Sequence, residues 1–390
     1  MIAETPMLAA RYHGESTVRV EEVDLPALGK SEVLVKVAYA ATLRANAPRP
    51  PSVGGTGICG SDLHEVYHGP FTCCPMGSPH PLTGATLPAT LGHEFSGTIE
   101  EVGEGVSKSL KVGMKVCIEP VISCLNCSSC KSGDRPLCDT RIGFFGYNRP
   151  GGLAPYVNVT EGNVHVVPEG VPLDVAALAE PLSVAWHAVA CSGFKAGESA
   201  LVIGLGPIGA LVTRVLKSLG ASAVYVSEPT SVRGKIASQC GADAVFNPLE
   251  VDVVAEVRKL TPDGQGVNVA IDCAGTQRTL DAAIDATRAK GRIVMVALWM
   301  PDAPRPTVDM SALLFKERIL TGSCCFNASD MQNVLAALSS GQIRVDDLIT
   351  SRILLQDIVE SGLETLRKEP AQVKILVDLE ASVKKQQEGK

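Results

Sequence analysis

The sequence predicts an α/β protein in two parts, a β-rich domain and a doubly wound parallel sheet that binds a nucleotide. Three observations predict it. Gly204-Leu205-Gly206-Pro207-Ile208-Gly209 follows the apolar run 199–203, opens a helix-like stretch at 210–220, and precedes a second apolar run, 223–227, that ends at Glu228. Further short apolar runs at 244–246, 267–272 and 292–297 are separated by helix-length stretches, the alternation a doubly wound sheet requires. Ahead of residue 173 the pattern differs, with short β-like runs punctuated by glycine and proline. At 390 residues the chain has room for two cores, and we assign 1–172 with 345–390 to the first domain and 173–344 to the second.

Taken in order, 18–23 and 32–39 are β-like, separated by Pro26 and Gly29. Residues 41–56 are an atypical insert, rich in Pro, Gly and Arg and without a β period. Residues 65–90 carry five prolines, among them Pro70, Pro79 and Pro88, and read as a long loop over a site. From 90 to 116 the chain is strand-rich, with Gly97, Gly103, Gly105 and Gly113 marking turns. Residues 174–192 read as largely helical and contain Glu180; the Pro181 that follows is tolerated only in a first turn or at a kink. The run 373–379 is again β-like and is expected to return to the first domain.

Two metal centres are legible. Cys59 offers a thiolate, His93 an imidazole, and Glu94 or Glu180 a carboxylate, a set that suits Zn2+ held by three protein groups with a fourth position open. A thiolate argues against Mg2+ or Ca2+, and a single histidine against a two-histidine iron site. An open position implies catalysis. Cys124, Cys127, Cys130 and Cys138 form instead a closed four-thiol set, as in a structural zinc site, which binds with about 10–16 kcal/mol in small peptides. An iron–sulfur cluster is the alternative, and visible absorbance would reveal it.

In the nucleotide motif Gly204 permits the tight turn, Gly206 the approach of a pyrophosphate, and Gly209 close packing of helix on strand. Pro207 and Ile208 lie in the same turn, and the N-terminus of the helix that follows favours negative charge. Glu228 can accept hydrogen bonds from both adenosine ribose hydroxyls and would repel a 2′-phosphate, so NAD is expected over NADP. Arg233, close by in sequence, is the feature that would serve NADP.

A net charge of −7 leaves no basic stripe, which disfavours nucleic acid and anionic membrane as partners. The longest apolar run, 293–300, is far short of the roughly 20 residues a membrane span needs. The first residues lack a secretory pattern, and the cysteines outside the two metal sets have no disulfide-like spacing, so a reducing cytoplasm is expected.

Gly-Ile-Cys-Gly-Ser-Asp-Leu-His at 57–64, Gly-His-Glu at 92–94, Glu-Pro-Leu at 180–182 and the glycine motif, in this order, resemble the zinc-dependent medium-chain alcohol dehydrogenases. The resemblance implies a GroES-like catalytic domain and a Rossmann domain, with NAD and two zinc ions, one catalytic and one structural. It gives Ser61 and His64 the role of a proton relay. Glu94 then binds zinc or yields to water, and Glu180 binds zinc or orients its water and the substrate. Residues 272–275 and 296–298 border the nicotinamide. Glu-Pro-Leu-Ser-Val-Ala-Trp-His-Ala at 180–188 resembles the polyol and butanediol branch, and Val-Ala-Leu-Trp at 296–299 its butanediol members. Hydride transfer between a secondary alcohol or vicinal diol and NAD is therefore expected, with (R,R)-2,3-butanediol and acetoin as the pair. Sorbitol or xylitol oxidation is the alternative, and a catalytically silent nucleotide-binding relative a more distant one. A homo-dimer or homo-tetramer, formed near residues 313–326, is also implied. In the family the strand ending near residue 40 runs almost directly into the cysteine segment. We therefore expect 41–56 to be foreign to the fold, as an unspliced intron or gene-model error would be, rather than a tolerated surface loop.

Overall fold

The computed structural model describes residues 6–39, 56–58, 60–299, 304–369 and 371–388. It contains two compact units, one made of Met1–Glu180 with Asn327–Lys390 and the other of Pro181–Phe326.

The first unit is built on an eight-stranded sheet. Its path runs through Tyr156–Thr160, Glu32–Tyr39, Lys374–Asp378, Thr56–Ile58, Glu94–Val102, Lys115–Ile118 and Val164–Val166, and Ile349–Leu354 pairs in parallel with Lys374–Asp378. Val33, Leu34, Val35, Val37 and Ala38 are all buried, so this strand is covered on both faces and is apolar but for Lys36 between its ends. The C-terminal strand returns to this unit, bringing Lys374 close to the start of Glu94–Val102.

Tyr39 and Thr56 occupy consecutive register positions. On one side Tyr39 lies opposite Ser96 and Thr56 opposite Phe95; on the other Tyr39 lies opposite Asp378 and Thr56 opposite Val377. Glu32–Tyr39 and Thr56–Ile58 are thus two pieces of one strand. Thr56, which the sequence reading placed at the end of the insert, is the first residue of the second piece; 41–55 lie outside the described residues.

Residues 60–68, the first of which adjoin the cysteine motif, form a helix, Gly60–His68. Residues 65–68 are therefore helical where a loop is expected. The acidic Asp62 in the first turn complements the helix dipole, and Gly69-Pro70 stops the helix. Buried Glu65 then accepts hydrogen bonds from the backbone N–H groups of Phe71, Thr72 and Cys73 at 2.9–3.1 Å, which ties the following loop back to the helix. The expected helix at 174–192 is two helices, Leu173–Ala177 and Ala179–Cys191, with Leu178 as the cap of the first. Pro181 explains the break, because it has no N–H to donate to the carbonyl of Ala177 and so sits where a new first turn begins.

The second unit carries a six-stranded parallel sheet in the order Ala244–Phe246, Ala223–Ser227, Ser199–Ile203, Val267–Asp272, Thr287–Met295, Ile319–Gly322. The chain order reverses beside Ser199–Ile203, and the ends of that strand and of Val267–Asp272 therefore form a topological switch point. Helix Pro207–Ser218 packs Val212, Val215 and Leu216 inward and begins at Pro207, three residues earlier than the periodicity suggests, because proline's fixed φ suits a first helical position.

Candidate metal centres and nucleotide site

His93, Glu94 and Glu180 come together in the first unit, with ligand atoms all within 4.8 Å of one another. They are 6%, 0% and 8% exposed. Glu94 opens its strand, His93 precedes it on a turn where Gly92 has φ +97°, and Glu180 stands in the first turn of Ala179–Cys191. Cys59 falls in sequence between Thr56–Ile58 and Gly60–His68 and lies outside the described residues.

Around these three stand residues that sequence reasoning missed. Lys374, 1% exposed, donates to both oxygens of Glu94 at 2.8 and 2.7 Å. Asp62 Oδ1 lies 3.4 Å from His93 Nδ1, and the Tyr147 hydroxyl donates to the same oxygen at 2.9 Å. Asp62 had a signal, an acid inside the cysteine motif. Lys374 had none, since it is joined to Glu94 only by strand pairing. Ser61 Oγ is 3.2 Å from His93 Nε2. His64 lies one turn further along the helix, half-buried, its pKa lowered by burial and then by neighbouring His68. It thus belongs to a helix rather than to a loop.

Burial pushes the Glu180 carboxyl up to about 8, against the pull of His93 and Lys374 and with the repulsion of Glu94 and Asp62. Three buried carboxyl groups facing one lysine and one imidazole are short of positive charge. A divalent cation bound by His93 and Glu180 fits that donor set.

The four cysteines of the second set also converge, with Cys124 Sγ to Cys130 Sγ and Cys127 Sγ to Cys138 Sγ both at 3.9 Å. A tetrahedron with zinc–sulfur bonds of about 2.3 Å has edges of about 3.8 Å, whereas a disulfide needs about 2.0 Å. Backbone N–H groups of Asn126 and Cys127 point at Cys124 Sγ and pull its pKa down to about 6, which favours the thiolate a metal needs. Arg135 ties this lobe down through Val121 O, Gly162 O and an ion pair of 3.1 Å with buried Glu119, which also meets His165 at 3.0 Å.

In the second unit Gly204 has φ +86°, and a Cβ there would lie 2.9 Å from that of Ala274. A Cβ at Gly209 would lie 2.0 Å from the Gly204 carbonyl oxygen, while one at Gly206 would meet nothing within 4 Å. Gly204 and Gly209 are required by packing, and Gly206 leaves space open beside the N-terminus of Pro207–Ser218, which no side chain caps. Ile208 is in its first turn. Glu228 is buried, with Oε2 accepting from Leu205 N at 2.8 Å and Oε1 from Thr230 N at 3.0 Å, so the glycine turn fixes its carboxylate at the strand end. Arg233 is half-buried on helix Ser231–Gln239. Asp272 Oδ1 accepts from Ala274 N and Gly275 N at 2.8 and 3.1 Å and shapes the end of the neighbouring strand.

The family described as alcohol dehydrogenase GroES-like domain matches residues 52–169, and that described as zinc-binding dehydrogenase matches residues 207–340. The chain is 37% identical to an (R,R)-butanediol dehydrogenase of Neisseria gonorrhoeae over 95% of its own length and 99% of the relative's. Its structure resembles that of the 2R,3R-butanediol dehydrogenase of Bacillus subtilis, with a TM-score of 0.85, 36% identity, and coverage of 96% of this chain and 99% of that one. A zinc-binding dehydrogenase of Sinorhizobium meliloti 1021 bound to NADP is similar with a TM-score of 0.82, 29% identity and coverage of 96% and 100%. A short chain alcohol dehydrogenase of Escherichia coli CFT073 complexed with NADH gives 0.82, 26%, 96% and 100%. Among the described residues no helix is long and apolar enough to cross a membrane.

Proposed function

The chain belongs to the zinc-binding alcohol dehydrogenases, which use zinc and a nicotinamide cofactor, and on that premise we propose that it interconverts (R,R)-2,3-butanediol and NAD with acetoin and NADH. One observation carries the reading: a buried His93, Glu94 and Glu180 centre in a chain similar to (R,R)-butanediol dehydrogenases over nearly its whole length.

Cys59, His93 and Glu180 are the residues that would hold the catalytic zinc, and the four clustered cysteines a structural one. Lys374 donates to both oxygens of Glu94, which favours Glu94 as a support for the centre and Glu180 as the third ligand. Zinc held there would make a hydroxyl bound to it acidic; the reference case, water going from 15.7 to about 7, corresponds to roughly 12 kcal/mol of anion stabilisation. Ser61 takes the alcohol proton, and His64, one turn along the same helix, carries it outward. The lowered pKa of His64 keeps its imidazole neutral near pH 7 and so able to accept that proton. Gly204, Gly206, Pro207, Ile208 and Gly209 would receive the pyrophosphate, and Glu228 would take the ribose hydroxyls and so select NAD over NADP. Arg233 would stand near the adenine end of the cofactor. Residues 272–275 and 296–298 would border the nicotinamide, which would supply the hydride acceptor for the carbinol carbon.

The same proposal includes a cytoplasmic location and assembly into a homo-dimer or homo-tetramer. Phe315 is 79% exposed, Leu314 71% and Ile319 57%, and Ile319–Gly322 ends the sheet with one edge unpaired among the described strands. Light scattering of the purified protein should give at least twice the chain mass; a monomer at micromolar concentration would remove this part.

The function is tested by initial rates of the zinc-loaded protein with (R,R)-2,3-butanediol, meso-butanediol, sorbitol and xylitol, each with NAD and with NADP. The R,R diol with NAD should give the highest kcat/KM. Preference for sorbitol or xylitol would replace the substrate, preference for NADP would replace the cofactor, and no turnover on any pair would sink the enzyme reading.

A further inference from the structure

We propose that Tyr147 is a positioning residue for His93, acting through Asp62, and that the glycine-rich loop around it is built to deliver it. The proposal rests on the reading of His93 as a zinc ligand.

The Tyr147 hydroxyl donates to Asp62 Oδ1 at 2.9 Å, and that same oxygen lies 3.4 Å from His93 Nδ1. The rings of Tyr147 and His93 are 5.2 Å apart between centroids and inclined by 39°. All three side chains are buried. With Nδ1 toward Asp62, His93 turns Nε2 toward Ser61 Oγ and the metal centre. A histidine ligand needs its second nitrogen held, because that contact fixes both tautomer and ring angle. At 3.4 Å the contact between His93 Nδ1 and Asp62 Oδ1 is longer than a normal hydrogen bond. The shorter, charge-assisted bond from the phenol fixes the oxygen against which His93 is aligned.

The loop makes this contact possible through backbone that comes unusually close to His93. Gly151 N donates to Thr90 O at 3.0 Å, Gly152 N to Gly92 O at 2.8 Å and Leu153 N to Leu91 O at 3.0 Å. A Cβ at Gly151 would lie 2.3 Å from Gly92 O. At Gly146, where φ is +94°, a Cβ would lie 2.9 Å from the Gly92 carbonyl carbon. Neither position has room for a side chain, so the glycines let the loop rest directly on Gly92 and His93. Tyr147 leaves the loop beside one of these contacts, and its ring packs on the imidazole as well as on Phe144, 6.2 Å away between centroids.

The test compares full-length protein, Tyr147→Phe, Asp62→Asn and His93→Ala, all loaded with zinc. Zinc release to a chromogenic chelator is followed in time, and the visible d–d bands are recorded after cobalt(II) replaces the catalytic ion. Tyr147→Phe should release one zinc about 10- to 100-fold faster than the parent, with the other zinc and the unfolding midpoint unchanged and the cobalt bands shifted. Asp62→Asn should show the same selective acceleration. Parental release rates and cobalt bands in Tyr147→Phe would overturn the proposal, as would equal acceleration of both ions with a lowered midpoint, which is a folding defect. His93→Ala tests the underlying reading separately. If it keeps both zinc ions, His93 is not a ligand; if it loses one while Tyr147→Phe behaves as the parent, only the role of Tyr147 falls.

Discussion

Lys374 places its ammonium on both oxygens of Glu94, and this one contact separates two carboxylates that are indistinguishable in the sequence. Breaking a buried pair by removing one partner leaves an uncompensated charge, at a cost of about 3–5 kcal/mol. In Lys374→Met the freed Glu94 carboxylate is expected to relieve that cost by moving to the zinc and closing its open position. Activity should fall at least about tenfold while metal analysis still finds the parental zinc content; loss of one zinc instead would show that Glu94 does not reach the ion. The glycines of the nucleotide turn make a second contrast at this scale. Gly206→Ala adds a methyl to open space at φ −70°, so the unfolding midpoint without cofactor should stay put while KM for NAD rises. Gly209→Ala drives a methyl to 2.0 Å from a carbonyl oxygen and should lower stability by about 1–3 kcal/mol. Thermal unfolding of the two variants, with and without NAD, checks both.

Between elements, the second unit is fastened by Arg292. From strand Thr287–Met295 it donates to both oxygens of Glu198 and to the carbonyl of Ser192, joining the strand to the turn that precedes Ser199–Ile203. Burial alone would raise the Glu198 carboxyl, but Arg292 and the Lys195 N–H outweigh it and hold the carboxyl below its usual 4.5. A depressed carboxyl binds fewer protons folded than unfolded. Its contribution is therefore complete above about pH 4.5 and lost as pH falls through the folded value. Glu198→Gln should cost on the order of 1 kcal/mol at pH 7, and the gap between variant and parent in urea unfolding should close below pH 4.5. A gap that stays constant down to pH 3 would assign the effect to packing. The cysteine lobe behaves as another separate element. Cys138→Ser should remove one zinc and expose the segment 124–138 to proteolysis while leaving the zinc at His93 in place.

Across the whole molecule, the register at Tyr39 and Thr56 is the most consequential feature. Consecutive partners on both flanking strands mean that joining Tyr39 directly to Thr56 keeps every pairing of the strand that leads to Cys59. A chain lacking residues 40–55 should bind the catalytic zinc at least as tightly as the full chain and melt higher, because a direct junction of Tyr39 to Thr56 removes the entropy of closing the chain between them. Calorimetry and metal analysis of both chains decide it. A lower midpoint or lost zinc in the shortened chain would show that the segment contributes to the fold.

Sequence by itself determined the features that are local in the chain. The glycine turn, the four-cysteine set and the acid at the end of the second strand are legible because their chemistry depends on spacing along a few residues. The parallel sheet was legible because strands buried on both faces are continuous apolar runs. Cys59, His93, Glu94 and Glu180 could be named as candidates, and the last three converge, but which carboxylate ligates could not be read. Tertiary structure decided the pairing of Lys374 with Glu94, the placing of Asp62 and Tyr147 about His93 and the consecutive register of Tyr39 and Thr56. The physical reason is common to all of these. Each depends on a hydrogen bond or a register between strands far apart in sequence, and such pairings leave no period, spacing or composition in the chain for a reader to find.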